Sequence, residues 1–412
     1  MDRKILARPW VVASVAGVVI VGALGIGLVA GGAITGGGAT ASPPPLAVTS
    51  TSPRVSPGSS PTAGEPASPT PEPTPTPLPT PTPTPSPVPT PTPVAAPLTG
   101  ALVPPKVAKR HPIAVMIDDL RAARPQSGLA SADVVWQAPA EGGIPRYMAI
   151  FQSVVPKNVG PVRSSRYYYI AWAAEWKAAY AHAGGSPQAL ATLRSKGNGQ
   201  LVYNVDGFRF GGSFRRITWK AAPHNLYTTG KKLRSLSKLV GAKDKGYKPV
   251  WQFAPDAPLE SRPYGGSISV RYLANAITYK YDHKTNTYLR SVSGESKEKD
   301  EADKRRIAPK NVVVMLMHFG ALNDGSHKHR LEATVIGSGP AWISTNGKTI
   351  KGTWKKTGLT KPTLFFDKDG NPVTLTVGQT FIQVMPYGSP MSFKKGSTTP
   401  PATAAPTATP AT

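Results

Sequence analysis

The chain has 412 residues, 46 of them proline and none cysteine, and a formal charge of +26. Without cysteine there can be no disulfides, thiolate metal sites, iron–sulfur clusters or cysteine nucleophiles, and no lipid-modified N-terminal cysteine. The first 41 residues carry +2, residues 42–98 carry −1 and the stretch after Lys395 is uncharged, so about +25 belongs to the part between. A surface that basic favours polyanionic partners, or adhesion to an anionic envelope.

Arg3, Lys4 and Arg8 precede an uncharged run from Trp10 to Ile34. About 20 apolar residues span a bilayer as a helix. Positive charge before the run and none after it until Arg54 predicts a single pass with the N-terminus inside. The rival is a signal sequence cleaved near Ala41, where Ala39-Thr40-Ala41 has the small-residue pattern. Either way the rest of the chain is expected outside the cytoplasm, which disfavours nucleic acid as a partner. Residues 42–98 are rich in Pro, Thr and Ser, with a Thr-Pro repeat. That composition buries no core and predicts an extended stalk reaching about 150 Å, whose threonines could carry sugars. Residues 396–412 read as a similar tail.

Residues 99–255 alternate strands and helices and predict an α/β region. Ile113–Ile117, Asp133–Trp136 and Tyr147–Phe151 read as strands, Ser164–Ala179 as a helix capped by Ser164 or Ser165, and Ala178–Ala183 as a strand. Gly184-Gly185-Ser186-Pro187 follows, with Ser186 as N-cap and Pro187 as the first residue of a second helix. Residues 256–395 switch to short alternating runs and tight turns, including Asn346-Gly347 and Asp369-Gly370, and predict a second, mainly antiparallel β domain. Within it Gly294–Arg306, dense in mixed charge, predicts a mobile loop.

Four groups of residues could carry chemistry. In Gly160-Pro161-Val162-Arg163-Ser164-Ser165-Arg166, two arginines flank two serines at a predicted helix start, suited to phosphate or carboxylate binding. The plainer reading is a cap with the arginines paired to Glu141, Asp118 or Asp119. His182, with Gly184, Gly185 and Ser186, lies at a strand end, where ligands gather in α/β sheets; His182 is a candidate general base or donor, or a structural histidine. Glu141 and Arg146 flank a glycine turn, as ligand contacts or as a salt bridge bracing a loop. Asp118, Asp119 and Asp133 border strands, and Asp118 with Asp133 could hold Mg²⁺. His318 and His327-Lys328-His329 offer a weaker metal option, and Lys231 to Lys248 a basic face.

Several of these segments together resemble the YerB-like lipoprotein family, a two-domain bacterial extracytoplasmic family of unknown function. They are Ile113–Asp118, Ala123-Arg124-Pro125-Gln126-Ser127-Gly128-Leu129, Glu141-Gly142-Gly143, Gly160–Ser164, His182–Pro187, and the C-terminal run from Gly352 to Val384. The chain departs from that family in lacking the cysteine that a lipoprotein anchor requires, so the resemblance leaves the Trp10–Ile34 run as the attachment. The order Asp118, Arg121, Asp133, Arg163 and Ala183-Gly184-Gly185 is also similar to the LytR-CpsA-Psr envelope phosphotransferases. That similarity implies Arg163 and Arg166 on a polyprenyl pyrophosphate, Asp118 and Asp133 beside Mg²⁺, and a lipid-linked glycan as substrate. Here the aspartate expected directly after the arginine is Ser164. Three functions stay open: a binding module for an anionic envelope polymer or lipid-linked glycan, a Mg²⁺-dependent phosphotransferase or hydrolase on such a substrate, and a scaffold for wall proteins.

Overall fold

A computed structural model describes residues 91–401. The Trp10–Ile34 run and most of the stalk lie outside those residues. Among the described residues no helix is long and apolar enough to cross a membrane. The fold begins before the predicted stalk boundary: Val94–Ala95 pairs antiparallel with Leu102–Val103, and Leu98 is buried in the core. It also runs slightly past Lys395, where Ser397 exchanges backbone hydrogen bonds with Tyr264.

Fourteen strands make the two main sheets. In chain order they are β1 (Ile113–Asp118), β2 (Val134–Pro139), β3 (Pro145–Phe151), β4 (Ala179–His182), β5 (Tyr203–Asp206), β6 (Ser267–Arg271), β7 (Ala276–Asp282), β8 (Thr287–Val292), β9 (Asn311–Met317), β10 (Gly337–Thr345), β11 (Lys348–Lys356), β12 (Leu364–Asp367), β13 (Thr380–Pro386) and β14 (Met391–Lys394). Ten of them form one sheet in the order β12-β11-β10-β9-β13-β2-β3-β1-β4-β5, and β8-β7-β6-β14 form a second, antiparallel sheet. The β-rich C-terminal region is as expected. The sequence pattern does not reveal that β13 pairs in parallel with β2, Thr380 opposite Val134, so that both halves of the chain share one sheet.

The period-two alternation along β3 shows how the core divides. Met148 and Ile150 face a layer built on Trp136, Trp172 and Trp176, whereas Tyr147, Ala149 and Phe151 face the second sheet. Helices α1 (Tyr167–Ala173) and α2 (Pro187–Lys196) contribute to the first layer. The Trp136 and Trp172 rings stack there at 4.8 Å; burying one such ring is worth about 3 kcal/mol. Ser186 caps α2 as predicted, its hydroxyl accepting from the Ala189 amide at 3.3 Å, with Pro187 first in the helix. Helix α3 (Gly230–Leu239) lies within the stretch that the sequence presents as a basic face. Thr229 caps it, Leu233 and Leu236 face the core, and Lys231, Lys232 and Lys238 are exposed. Arg234 turns inward to the Phe151 and Gln152 carbonyls.

Two expectations fail here. The helix expected from Ser164 starts three residues later, because Ser164–Arg166 runs extended beside the glycine turn: Ser165 bridges Gly185, and Ser165 Oγ meets the Tyr180 hydroxyl at 2.8 Å rather than capping. Lys177, in the left-handed conformation at φ 47°, ends that helical segment. The segment Gly294–Arg306 is an ordered strap. Its Glu298 is fully buried against Arg290, and its Asp300 accepts the Gly128 and Ala130 amides at 2.8 and 2.9 Å. Charge density predicts mobility, but the two buried charges, Glu298 and Asp300, have internal partners that fix the segment.

Candidate functional site

Strand direction assembles the site. β1, β2, β4, β5, β9 and β13 all run the same way. Their carboxyl ends, Asp118, Pro139, His182, Asp206, Met317 and Pro386, therefore share one edge of the large sheet, the edge at which open α/β sheets hold ligands. The Glu141 turn, the Arg163 segment and the His182 segment all emerge on it, as loops following or flanking those ends.

The two glycine-and-arginine segments lie side by side. The Ala183 amide donates to Arg163 O at 3.0 Å, the Ser165 amide to Gly184 O at 2.9 Å and the Ser186 amide to Ser165 O at 3.2 Å. Gly184 has φ +71°, and a Cβ there would stand 3.2 Å from the Phe208 ring and 3.8 Å from Ser164 Oγ. A hollow of about 170 Å³ opens at this junction, lined by Arg163, Ser164, Gly184, Phe208 and Arg216 among others.

Arg163 is the accessible guanidinium of the group. Its side chain is 23% exposed, and its Nε lies 2.9 Å from Asp118 Oδ2. That contact is out of line for a hydrogen bond, and the terminal nitrogens of Arg163 make none among the described residues. His224, which sequence reasoning missed, approaches the same Asp118 oxygen at 2.6 Å through Nδ1. No local pattern links these two, since they stand 106 residues apart. Burial works against the charge on Arg163, and Asp118 offsets it.

Arg166 and Arg146 are different. Arg166 is buried and donates through Nε to Glu141 Oε2 at 2.9 Å, with its Nη2 on Oε1. Arg146 reaches the same carboxylate at 3.4 Å and donates to Ser164 O at 2.6 Å. Burial lowers the proton affinity of both. For Arg166 the ion-pair reading therefore holds: its guanidinium is committed to Glu141. Arg146 and Glu141 brace the Arg163 segment from behind. The helix that begins at Tyr167 has only seven residues, and its N-terminus lends Arg163 no anion site.

His182 is fully buried. Nδ1 lies 2.8 Å from Gly184 O and Nε2 2.8 Å from Asn204 Oδ1. Both nitrogens are engaged, so His182 fixes the glycine turn and is not placed as a general base. Asp118 and Asp133 do not meet. Asp118 ends β1 opposite Arg146, whereas the Asp133 amide bonds to Ile150 O, and four residues along a strand span about 13 Å. Asp133 instead accepts the Gln152 and Ser153 amides at 2.5 and 2.9 Å, and burial raises its pKa. The carboxylate pair is therefore not a Mg²⁺ site. Among the described residues no group of three or more His, Asp or Glu side chains could hold a metal. His327 and His329 lie in a turn, not on a strand, and His318 stacks on Tyr387 at 4.3 Å.

Residues 98–247 match the N-terminal domain, and residues 268–382 the C-terminal domain, of a family described as protein of unknown function (DUF3048). "Putative lipoprotein YerB" of Bacillus subtilis (strain 168) is 34% identical over 309 residues, 72% of this chain and 88% of the relative. The chain belongs to the YerB family. The crystal structure of YerB from Bacillus subtilis superposes with a TM-score of 0.65 at 29% identity, over 73% of this chain and 99% of the other. Asp118, Glu141, Arg146, Arg163, Arg166, His182 and His224 fall within the YerB-family N-terminal domain, residues 98–247, and His318, His327 and His329 within the C-terminal domain, residues 268–382.

Proposed function

We propose that this YerB-family protein is an extracytoplasmic binding module that holds a phosphate or carboxylate group of a cell-envelope ligand at Arg163. One observation carries the reading. At the carboxyl edge of the sheet, a guanidinium with unspent terminal nitrogens faces a hollow, with Arg216 on its rim and Asp118 as its carboxylate partner. Arg146, Glu141 and Arg166 hold the segment rigid from behind. Charge-assisted hydrogen bonds to such a guanidinium contribute about 2 kcal/mol. The envelope location is supported by the lipoprotein description of the relative and by the Trp10–Ile34 run, which is proposed as the attachment in place of a lipid. Binding is favoured over phosphotransfer because His182 is engaged on both sides and Asp118 and Asp133 are apart.

The test is titration of the full-length chain with inorganic pyrophosphate by calorimetry. The wild type binds, and Arg163→Ala weakens binding by roughly ten-fold or more. Unaltered affinity in that variant sinks the proposal. Phosphate release from a pyrophosphate-linked substrate, abolished by Arg163→Ala, would favour the enzyme reading instead.

A further inference from the structure

The loop from Gly207 to Leu226, which follows β5, contains no acidic residue and carries Arg209, Arg215, Arg216 and Lys220. It also exposes two large rings: Phe208 is 68% and Trp219 64% solvent-exposed. Phe208 stands at the Arg163 hollow, so its ring face is offered to whatever binds there. The next two residues, Arg209 and Phe210, line a second hollow, of about 670 Å³.

That second hollow is rich in unspent donors. The Arg194 and Arg209 guanidinia and the side-chain amide nitrogen of Asn198 line it, and none of these makes a hydrogen bond among the described residues, whereas the Asn204 side chain is paired with His182. Leu193 and Phe210 supply apolar wall, and Asp206 is the one carboxylate, its Oδ1 already accepting the Phe208 amide at 3.0 Å. These exposed donors are met by water, which a ligand rich in oxygen acceptors can replace, and the cations favour one that is anionic. Two such hollows lined by consecutive residues, Phe208 and then Arg209 and Phe210, call for a ligand long enough to enter both.

We infer that the Gly207–Leu226 loop is the binding surface for an extended anionic glycan. Its charged groups sit in the Arg163 hollow and in the Arg194–Arg209 hollow, and a sugar ring lies over Phe208 between them. This rests on the anion reading of Arg163 and adds the length and chemical class of the ligand. A bilayer is the poorer match, because the second hollow is lined with amides and guanidinia, and because the described chain ends leave the fold at the other edge of the sheet. There Thr99 O accepts the Gly378 amide and Ser397 pairs with Tyr264.

The experiment compares a galacturonate hexamer with galacturonate monomer, neutral maltohexaose and an oligothymidylate on the full-length chain, with pyrophosphate as the reference anion. The hexamer binds roughly ten-fold or more tighter than the monomer, because linked subsites act together, and maltohexaose does not bind. The double variant Arg194→Gln with Arg209→Gln, both exposed and outside the Arg163 hollow, loses the hexamer advantage and keeps pyrophosphate binding, which also reports an intact fold. Hexamer affinity equal to that of the monomer, an unaffected double variant, or oligothymidylate binding as tight as the hexamer overturns the inference. Failure of pyrophosphate to bind the wild type overturns the Arg163 reading itself.

Discussion

Asp119 shows how neighbouring residues of one type take different roles. Asp118 ends β1 and turns to the Arg163 hollow, while Asp119 turns inward and is fully buried. It receives Gln137 Nε2 at 2.5 Å and Asn275 Nδ2 at 2.9 Å, with Arg124 Nη2 at 3.4 Å. Burial lifts its carboxyl to about 7, against the pull of Arg124 and Arg290. The folded protein therefore keeps a proton that the unfolded chain has already lost between about pH 4 and about pH 7. In that window the unfolded state binds fewer protons, so Asp119 makes stability fall as pH rises, and the loss persists above it. Asp119→Asn removes the titration. Its urea midpoint should rise relative to the wild type from acid to neutral pH, whatever the constant offset from altered hydrogen bonds. Parallel curves would show that Asp119 stays ionised.

At the scale of elements, the strap Gly294–Arg306 ties the two sheets together. Arg290 on β8 is fully buried, donating to the Tyr279 and Tyr147 hydroxyls at 3.0 Å each and to Gln137 Oε1 at 2.9 Å, and its charge is met by Glu298 from the strap. Removing one partner of a buried pair leaves the other charge stranded. Glu298→Gln should lower stability by about 3 kcal/mol. Lys297→Gln, exposed on the same strap, should change it by less than about 0.5 kcal/mol. Equal effects in denaturant titrations would mean that the strap is not anchored through Glu298. The sequence pattern was sufficient for elements whose periodicity is local: β1, β3, the Ser186-Pro187 helix start and the Asn346-Gly347 hairpin all lie where their patterns put them. It failed where the partner is distant. Glu298 reads as one more charge in a charged run until Arg290 is brought against it. Arg163 and His224 read as unrelated until both reach Asp118. Arg163 and Arg166 look equivalent by spacing, and only Glu141 separates the buried one from the accessible one.

At the scale of the molecule, the pairing of β13 with β2 makes the halves mutually dependent. Without residues 268–382, β2 would present an unpaired edge in the middle of the large sheet, with Val134, Val135, Trp136 and Gln137 losing their partners. Tyr272 of the C-terminal half donates its hydroxyl to Gln137 O at 2.9 Å, and Gln383 Nε2 donates to Gln137 Oε1 at 2.9 Å, so the joint is hydrogen-bonded through side chains as well as backbone. Glu175 adds a third tie, fully buried with Lys356 of β11 at 2.9 Å and with Thr363 Oγ1 at 2.6 Å. An edge stripped of these partners would leave buried polar groups unmet, each costing about 1–3 kcal/mol. Two regions that match separate family domains should therefore unfold as one. Far-UV dichroism and tryptophan fluorescence should give coincident urea transitions, because Trp136 and Trp172 report the N-terminal region and Trp354 the C-terminal one. Two resolved transitions, or a cooperatively folded fragment ending at residue 255, would show that the shared sheet does not couple them. If the coupling holds, a glycan held on the loop after β5 stabilises the far strands β11 and β12 as well, by mass action on the whole unit. Protection from hydrogen exchange in β11 should then rise with ligand, although those strands lie at the other side of the sheet.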